Sequence, residues 1–286
     1  MKKILMSKKP VDNDLTMLSG NWTFENIEKK FDKHITRSIP LYNEIHNICI
    51  NCSEFFNTED AIFLDVGCST GTLIKKFSNK YPAKNYKIKF IGVDTIASMI
   101  RKAKKKNKDK RVIFKNLSIN DLKMNNKINL ITSVFTMQFI KAQKRQNIYN
   151  KIYKNLTRGG AFILFEKVLA ENGKFQDIYN GIYNDFKINQ NFSEQQISQK
   201  TLSLRGKLEC FSSEENKDSL KKSGFKKITT IFKWFCFEGY LCINSILLMI
   251  SFKFILSSLS LIFKFSLLET KSRKSLIYDS SNSEQF

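Results

Sequence analysis

The stretch Ile62-Phe63-Leu64-Asp65-Val66-Gly67-Cys68-Ser69-Thr70-Gly71 contains the pattern around which this chain of 286 residues is organised. Its apolar run ends in an acidic residue, a glycine-rich turn follows, and Thr72 begins a helical pattern. That order predicts a buried strand, a tight loop and a helix whose N-terminus faces a ligand. The glycines leave room for a ligand beside the backbone, and exposed N–H groups would favour an electron-rich partner. An ordinary corner between a strand and a helix is the alternative.

Segments with strand and helix patterns alternate along the chain. The predicted strands cover residues 61–66, 87–94, 112–114, 128–135, 161–165, 228–232 and 235–243. The predicted helices cover residues 40–56, 70–80, 96–106 and 139–156. We therefore expect an α/β fold with a mostly parallel sheet and right-handed crossovers. Residues 174–223 interrupt the alternation with mostly helical sequence, which predicts a helical insert or lid.

Asp94 ends the second predicted strand, 27 residues after Gly67. Ligands of open parallel sheets bind beyond the carboxyl ends of the strands, so Asp65, Gly67 and Asp94 should lie at one edge. An acidic residue at this distance from a glycine turn is typical of a site that binds the ribose hydroxyls of a nucleotide-like ligand. A helix-capping role for the Asp94 carboxylate is the alternative.

The formal net charge of +22 is compatible with a polyanionic partner, either nucleic acid or an anionic membrane. The lysines are dispersed except in residues 101–111, so a solvated basic surface is the alternative. The six cysteines form no paired metal-ligand pattern and there are only two histidines, so we expect no metal site. Because residues 1–20 contain no secretory signal, we expect a cytoplasmic protein with reduced thiols.

Several short blocks carry a more specific pattern than the glycine turn. They are Asp32-Lys33-His34-Ile35-Thr36-Arg37-Ser38-Ile39-Pro40-Leu41-Tyr42, Asp65-Val66-Gly67-Cys68-Ser69, Phe135-Thr136-Met137-Gln138-Phe139, Gly159-Gly160-Ala161, Glu166-Lys167, Asp185-Phe186-Lys187 and Ser193-Glu194-Gln195-Gln196-Ile197-Ser198-Gln199-Lys200. Over about residues 21–243 the chain resembles the carboxy-S-adenosylmethionine synthases. The resemblance implies a Rossmann-like class I methyltransferase fold with a seven-stranded, mostly parallel sheet.

The resemblance also implies a cofactor, which is S-adenosylmethionine or the carboxylated form made from it and prephenate. The family acts in the modification of the tRNA wobble uridine and forms homodimers; another enzyme of that pathway docks on tRNA, so direct tRNA binding by this chain stays open. Residues of the glycine loop or at ligand-contacting positions of the family are Tyr42, Asp65, Gly67, Cys68, Ser69, Gly71, Asp94, Thr95, Ser118, Ile119, Val134 and Thr201. Tyr42 would bring an aromatic face to the sulfonium cation, and a core aromatic is the alternative.

Three of these positions depart from the family pattern. Ser118 stands where an acidic residue is expected near the adenine, with Asp121 as a second candidate, and Val134 replaces an asparagine. Thr201 replaces the arginine that meets the extra carboxylate of the cofactor in the family. A hydroxyl group cannot substitute for a bidentate guanidinium.

Arg205 lies one helical turn after Thr201 and could reach back to that carboxylate, whereas Lys200 would point elsewhere. Arg205 and Tyr42 are therefore the candidate catalytic residues. Three hypotheses stay open: a methyltransferase on this scaffold, a true carboxy-S-adenosylmethionine synthase that uses prephenate, and a non-catalytic cofactor-binding relative.

Residues 244–268 are strongly apolar, with Lys253 and Lys264 as interruptions. Both lysines fall on one helical stripe with Ser257 and Ser260, which predicts an amphipathic helix peripheral on a membrane. A helix packed on the domain or on a second subunit, and a disordered addition, are the alternatives. Residues 1–20 are predicted to be a flexible N-terminus and residues 269–286 a disordered tail.

Overall fold

The computed structural model of this chain describes residues 23–25, 27–124 and 127–244. Its helices are α1 (Glu28–Ser38), α2 (Tyr42–Ser53), α3 (Thr72–Lys80), α4 (Ala97–Lys106), α5 (Ala142–Asn155), α6 (Gly173–Asn189), α7 (Glu194–Ser203) and α8 (Ser213–Lys222). Its strands are β1 (Ile62–Val66), β2 (Lys89–Asp94), β3 (Val112–Asn116), β4 (Ile128–Val134), β5 (Leu156–Leu169), β6 (Phe211–Ser212), β7 (Lys227–Trp234) and β8 (Phe237–Ile243). The predicted segments 1–20 and 269–286, and the predicted helix 244–268 after its first residue, lie outside the described residues.

One sheet organises the described part of the chain, in the order β3-β2-β1-β4-β5-β8-β7. The pairs among β1 to β5 are parallel, whereas β8 runs antiparallel to both β5 and β7. The register places Asp65 of β1 beside Gly92 of β2 and Thr132 of β4. Because these strands are parallel, the carboxyl ends of β1, β2 and β4 meet at one edge, as the sequence predicts.

The structure confirms the predicted mostly parallel α/β sheet and adds two details. The short β6 pairs with the end of β5 as an eighth strand. β5 extends well beyond the predicted limits of 161–165, because its pairing with β8 continues to Lys167 and its pairing with β6 to Leu169. This extension carries β5 past the carboxyl end of β4, where Val134 pairs with Phe165.

Helices cover both faces of the sheet, because the central strands are apolar on both faces. Phe63 belongs to the apolar cluster that contains Ile74 of α3. The next residue, Leu64, belongs to the cluster on the other face, with Ile148 of α5 and Leu220 of α8. This alternation along β1 follows from the two-residue period of a strand, and it places the main core on both sides of the sheet.

The three helices within the predicted insert 174–223 have different surroundings. α8 packs against α5 in the helical layer of the sheet, as its core residues show. α6 is instead joined to α1, since the Tyr183 hydroxyl donates to the carbonyl oxygen of Ser38 at 2.8 Å. The Arg37 guanidinium donates to the carbonyl oxygen of Gln190, just after α6, at 2.6 and 3.0 Å. No helix among the described residues is long and apolar enough to cross a membrane.

Candidate functional site

A cavity of about 870 Å³ lies at the carboxyl edge of the sheet and is lined by residues of α1, α6 and α7 and of the loops after β1, β2, β3 and β4. Its volume is within the range of sites that bind cofactor-sized molecules. The predicted site residues that line it are Tyr42, Asp65, Gly67, Cys68, Ser69, Asp94, Thr95, Ser118, Ile119, Val134, Thr201 and Arg205. Residues from both halves of the chain therefore meet in one cavity.

The loop after β1 turns sharply, with positive φ angles of 74° at Gly67 and 49° at Ser69. A side chain at Gly67 would overlap Thr136, which also lines the cavity. The expectation of exposed N–H groups needs correction, because Gly67 and Cys68 donate to the carbonyl oxygen of Val93 at 2.8 and 3.0 Å. The absence of a side chain at Gly67 therefore lets Thr136 pack against the loop, and the N–H group of Gly67 serves to hold the loop on β2.

Gly71 belongs to the same loop, but it is not among the residues that line the cavity. It is the N-cap of α3 and has a positive φ of 71°. A side chain there would come within 2.7 Å of Phe114 and 2.9 Å of Ala103. Gly71 thus permits close packing of the start of α3 against β3 and α4, and this geometry does not support its predicted contact with a cofactor.

Asp94 holds the glycine loop and the start of α4 together. Its carboxylate accepts hydrogen bonds from the N–H groups of Ser69 at 2.9 Å and Ile96 at 2.8 Å. Burial raises the pKa of Asp94, although these backbone donors oppose the increase. The capping role is therefore present, and each carboxylate oxygen keeps a lone pair that could accept a ligand hydroxyl. Capping and ribose binding are compatible.

Asp65 is buried at the end of β1 and also lines the cavity. Its carboxylate accepts a hydrogen bond from the Thr132 hydroxyl at 2.7 Å. Burial raises the pKa of Asp65 to about 7 despite that hydrogen bond. Because a nearby positive charge favours the ionised form of a carboxyl group, a cationic ligand in this cavity would lower the pKa again.

The adenine-side departures have clear positions in the structure. Ser118 and the buried Ile119 line the cavity, and the Ser118 hydroxyl accepts a hydrogen bond from the Asn120 N–H group at 3.2 Å. Asp121 is exposed and is not among the lining residues, so it does not replace the missing acid. Val134 lines the cavity with an apolar side chain at the end of β4.

Both histidines of the chain line the cavity, although neither was among the predicted site residues. His46 is buried against the Tyr42 ring, with 4.5 Å between the ring centroids, and its Nδ1 atom has no hydrogen-bond partner among the described residues. Burial lowers the pKa of His46 to about 3 and raises the pKa of Tyr42, so both rings stay neutral. The sequence contained features that could have identified both histidines as site residues. His46 follows Tyr42 by one helical turn, and His34 lies within the block 32–42.

Thr201 is exposed on α7, and its hydroxyl donates to the carbonyl oxygen of Ile197 at 3.0 Å. Such a bond to the preceding helical turn is common for threonine and occupies its only donor. Lys200 lines the cavity as well, contrary to the expectation that it points elsewhere. Arg205 is exposed at the cavity wall, and its guanidinium forms no ion pair with a carboxylate of the described residues.

Lys167 of β5 and Lys187 of α6 also line the cavity, although neither was predicted as a site residue. Their Nζ atoms lie 4.8 and 4.3 Å from the centroid of the Tyr183 ring. Burial, and secondly the charge of Lys167, lowers the pKa of Lys187 to about 8. The sequence contained a feature that could have identified these lysines. Both fall in blocks that resemble the family, Glu166-Lys167 and Asp185-Phe186-Lys187.

Asp32 connects α1 to the glycine loop and to α4. Its carboxylate accepts hydrogen bonds from the Thr70 and Thr72 hydroxyls at 2.5 and 3.1 Å and from the Lys106 ammonium at 2.8 Å. Burial opposes ionisation, but the hydrogen bonds from Lys106, Thr70 and Thr72 hold the pKa of Asp32 below its usual value. This network fixes the far end of the loop relative to two helices.

The cavity combines two acidic groups at the glycine loop, Asp65 and Asp94, with cationic side chains on β5, α6 and the segment after α7. Among the described residues, no three potential ligands from histidine, cysteine, aspartate and glutamate are grouped as a metal site would require. The arrangement suits a small organic ligand that carries both positive and negative charge.

Comparison with known proteins gives the family of this chain. Residues 63–160 match the family model of a methyltransferase domain. The carboxy-S-adenosyl-L-methionine synthase of Staphylococcus epidermidis is 35% identical over 225 residues, which cover 78% of this chain and 97% of that protein. The protein of the same name from Nautilia profundicola is 32% identical over 219 residues, covering 76% of this chain and 92% of that protein.

Solved structures show the same fold at much lower identity. Human N-acetylserotonin methyltransferase in complex with S-adenosylmethionine matches with a TM-score of 0.52 and 13% identity, covering 76% of this chain and 56% of that one. The S-adenosylmethionine-dependent methyltransferase SibL matches with a TM-score of 0.53 and 12% identity, covering 77% of this chain and 59% of that one. The similarities to these two solved structures concern the fold alone. The two carboxy-S-adenosyl-L-methionine synthases, in contrast, align with this chain over nearly their whole length. The chain therefore belongs to the carboxy-S-adenosyl-L-methionine synthase family of S-adenosylmethionine-dependent transferases.

Proposed function

We propose that this transferase makes carboxy-S-adenosylmethionine from S-adenosylmethionine and prephenate, for modification of the tRNA wobble uridine. The observation that carries the proposal is the match to a protein named carboxy-S-adenosyl-L-methionine synthase over 97% of that protein's length. A match of this extent includes α6 and α7 as well as the glycine loop. The cavity supports the proposal, because it has cationic side chains in addition to a cofactor loop.

The residues around the glycine loop fit a nucleoside with a sulfonium group. Gly67 lines the cavity with Thr136 packed against it, and Asp94 keeps lone pairs for ribose hydroxyls. The neutral Tyr42 ring and the Asp65 carboxylate are suited to a nearby positive charge. When bound, the cofactor would supply a methyl group that its sulfonium charge activates.

The protein's own contribution is to position two reactants and to exclude water. Phe135 and Phe237 line the cavity and contact each other edge to face, with 5.6 Å between their ring centroids. Their apolar surfaces would keep water away from reacting groups beside them, and positioning alone can supply much of the rate. Arg205 is the candidate catalytic residue, because its guanidinium is at the cavity wall and forms no ion pair with a carboxylate of the described residues.

A second candidate function is methyl transfer from ordinary S-adenosylmethionine. It is favoured by Thr201, which stands where the family has a carboxylate-binding arginine and whose hydroxyl donates to Ile197. Without that arginine, a scaffold of this kind could use the unmodified cofactor. Asp65, Asp94 and Tyr42 would keep the same roles in that case.

The two functions are separated by incubating the protein with S-adenosylmethionine and prephenate and detecting carboxylated cofactor by mass spectrometry. We expect product that depends on both compounds. Arg205→Ala should abolish product formation, while Arg158→Ala, which removes an exposed guanidinium outside the cavity, should not. Absence of product from the wild type would leave methyl transfer as the better proposal. An active Arg205→Ala variant would instead remove only the role of Arg205.

A further inference from the structure

Two ammonium groups share one aromatic ring in the cavity. Lys187 is only 8% exposed and its Nζ lies 4.3 Å from the centroid of the Tyr183 ring, while Nζ of Lys167 lies 4.8 Å from the same centroid. Among the described residues, no carboxylate forms an ion pair with either lysine. An aromatic face attracts cations, but it does not neutralise them.

This arrangement is electrostatically incomplete. Two like charges on one aromatic ring in a partly desolvated site repel each other, and the pKa of Lys187 is lowered to about 8 by burial and by Lys167. An anion bound in the cavity against the two ammonium groups would offset that repulsion. Buried charges in proteins are normally paired, so the cavity side of these lysines is where a negative partner is missing.

The Tyr183 ring is held firmly in place. Its hydroxyl donates to the carbonyl oxygen of Ser38 at 2.8 Å, and its ring stacks with Phe186 at a centroid distance of 6.4 Å. Phe237 contacts it edge to face at 5.2 Å. Lys167 is fixed in turn by β5, where it pairs with Phe237 of β8. The two ammonium groups therefore have a preorganised site and do not belong to mobile surface side chains.

The two lysines and the glycine loop lie in different parts of the cavity. Lys167 is on β5, two strands away from β1 in the sheet order, which corresponds to about 10 Å. Phe135 and Phe237, which contact each other, lie on the path from Thr136 beside Gly67 to the Tyr183 ring. A cofactor on the glycine loop and an acid on the lysines could thus occupy one cavity together.

We infer that Lys167 and Lys187, over the Tyr183 ring, form an anion subsite that binds a carboxylate of the acid co-substrate. This lysine pair would supply charge that the exposed Thr201 cannot supply. The inference rests on the proposed function, in which that acid is prephenate, a molecule with two carboxylates. The amino-acid part of the cofactor also carries a carboxylate, which the lysines could bind instead. The experiment must therefore distinguish binding of the acid from binding of the cofactor.

The test is calorimetric titration of S-adenosylmethionine into the protein, and of prephenate into the protein saturated with S-adenosylhomocysteine, which lacks the methyl group and therefore cannot react. The variants are Lys167→Met and Lys187→Met, which keep the length of the apolar stem over Tyr183. Lys174→Met is the matched control, because Lys174 is an exposed lysine of α6 outside the cavity. Thermal unfolding is measured for all proteins, and Lys187→Gln is the second variant if Lys187→Met unfolds early.

We expect each cavity variant to bind prephenate about tenfold or more weakly, the usual effect of losing a charge-assisted hydrogen bond, with S-adenosylmethionine affinity unchanged within about twofold. The inference is overturned if both variants bind prephenate as Lys174→Met does, or if they lose affinity for S-adenosylmethionine instead. A wild type that binds prephenate through these lysines but makes no carboxylated cofactor would refute the proposed function alone. A wild type that does not bind prephenate would refute both.

Discussion

Gly67 cannot accept a side chain without rearranging the loop that faces the cavity. Its φ of 74° is unfavourable for residues other than glycine, and a Cβ atom would overlap Thr136. The backbone strain alone is roughly 1–2 kcal/mol. Because the strain and the overlap act at the surface that a ligand approaches, they should affect binding more than global folding.

Gly67→Ala should weaken S-adenosylmethionine binding at least about tenfold, since 1.4 kcal/mol corresponds to a factor of ten. The measurement is isothermal titration on protein whose circular dichroism spectrum matches that of the wild type. Gly181→Ala is the control, because a Cβ atom at Gly181 of α6 meets no other atom within 4 Å. Equal affinities of the two variants would contradict the role given to Gly67.

Lys187 should give prephenate binding a distinct pH profile. Its pKa of about 8 means that the free site holds a protonated amine below that pH and loses the charge above it. The other groups that face it are Lys167, Tyr183 and Cys236, and burial raises the pKa of Tyr183 and of the Cys236 thiol, which keeps both neutral.

We therefore expect the affinity for prephenate to be constant below about pH 7 and to fall by up to about tenfold per pH unit above 8. The direction follows because an anion binds the protonated lysine more tightly. Titrations of wild type and Lys187→Met between pH 6.5 and about 9.5 check this, at constant ionic strength. A wild-type profile as flat as that of Lys187→Met would show that Lys187 does not contact the acid.

At the scale of elements, α1, the glycine loop and α4 are held by one carboxylate. Asp32→Asn should remove the ion pair with Lys106, because Lys106 donates to one carboxylate oxygen while Thr70 and Thr72 share the other, and an amide offers a single oxygen acceptor. We expect a loss of about 1–2 kcal/mol of unfolding free energy, measured in urea, together with weaker cofactor binding.

The control for Asp32→Asn is Glu59→Gln, which removes an ion pair with Lys87 between side chains that are 77% and 71% exposed. Exposed pairs of this kind contribute roughly 0–1 kcal/mol. If both substitutions destabilise the protein equally, Asp32 is an ordinary surface residue and does not hold the loop.

We predict that the α7 helix decides which form of the cofactor the cavity prefers. Thr201→Arg would restore a guanidinium at an exposed position of the cavity wall, where there is room for a longer side chain. We expect roughly tenfold tighter binding of carboxy-S-adenosylmethionine relative to S-adenosylmethionine, because a charge-assisted pair contributes about 1.5–3 kcal/mol. Titrations with both compounds measure the ratio, and Thr201→Val is the control. An unchanged ratio in Thr201→Arg would mean that this part of α7 does not face the added carboxylate.

At the scale of the whole molecule, the basic run 101–111 is less available than its composition indicates. Lys102 and Lys106 both pair with Asp32, at 3.6 and 2.8 Å. Arg111 pairs with Asp109 at 2.6 Å and also donates to backbone carbonyl groups. The formal charge of this run is therefore larger than the charge that a polyanion would meet.

We propose that the predicted helix 244–268, which lies outside the described residues after its first residue, attaches the protein to anionic membrane surfaces. Full-length protein should pellet with anionic vesicles at low salt, whereas a variant ending at residue 244 should stay in the supernatant. Vesicles of zwitterionic lipid provide the control, because electrostatic attraction contributes to interfacial binding. The proposal fails if both forms stay in the supernatant with anionic vesicles.

The α/β alternation, the glycine loop and the acid at the end of β2 can all be predicted from local sequence. Each of these depends on a local pattern: the two-residue period of strands, a positive φ that requires glycine, or a fixed spacing along parallel strands. For this reason the sequence predicts that Asp65, Gly67 and Asp94 lie at one edge of the sheet. The family blocks also marked the segments that contain Lys167 and Lys187, although not the roles of these residues.

Which atoms of these segments make contacts, and with which partners, depends on the packing of the whole fold. The N–H group of Gly67 binds Val93, Gly71 packs on Phe114, and neither outcome follows from the local sequence. Likewise, Lys167 and Lys187 lie on a strand and a helix that are far apart until sheet pairing and α6 bring both to Tyr183. The physical reason is that a sequence pattern specifies which face a residue takes within its own element. Contacts between elements depend instead on how strands pair and helices pack across the whole fold.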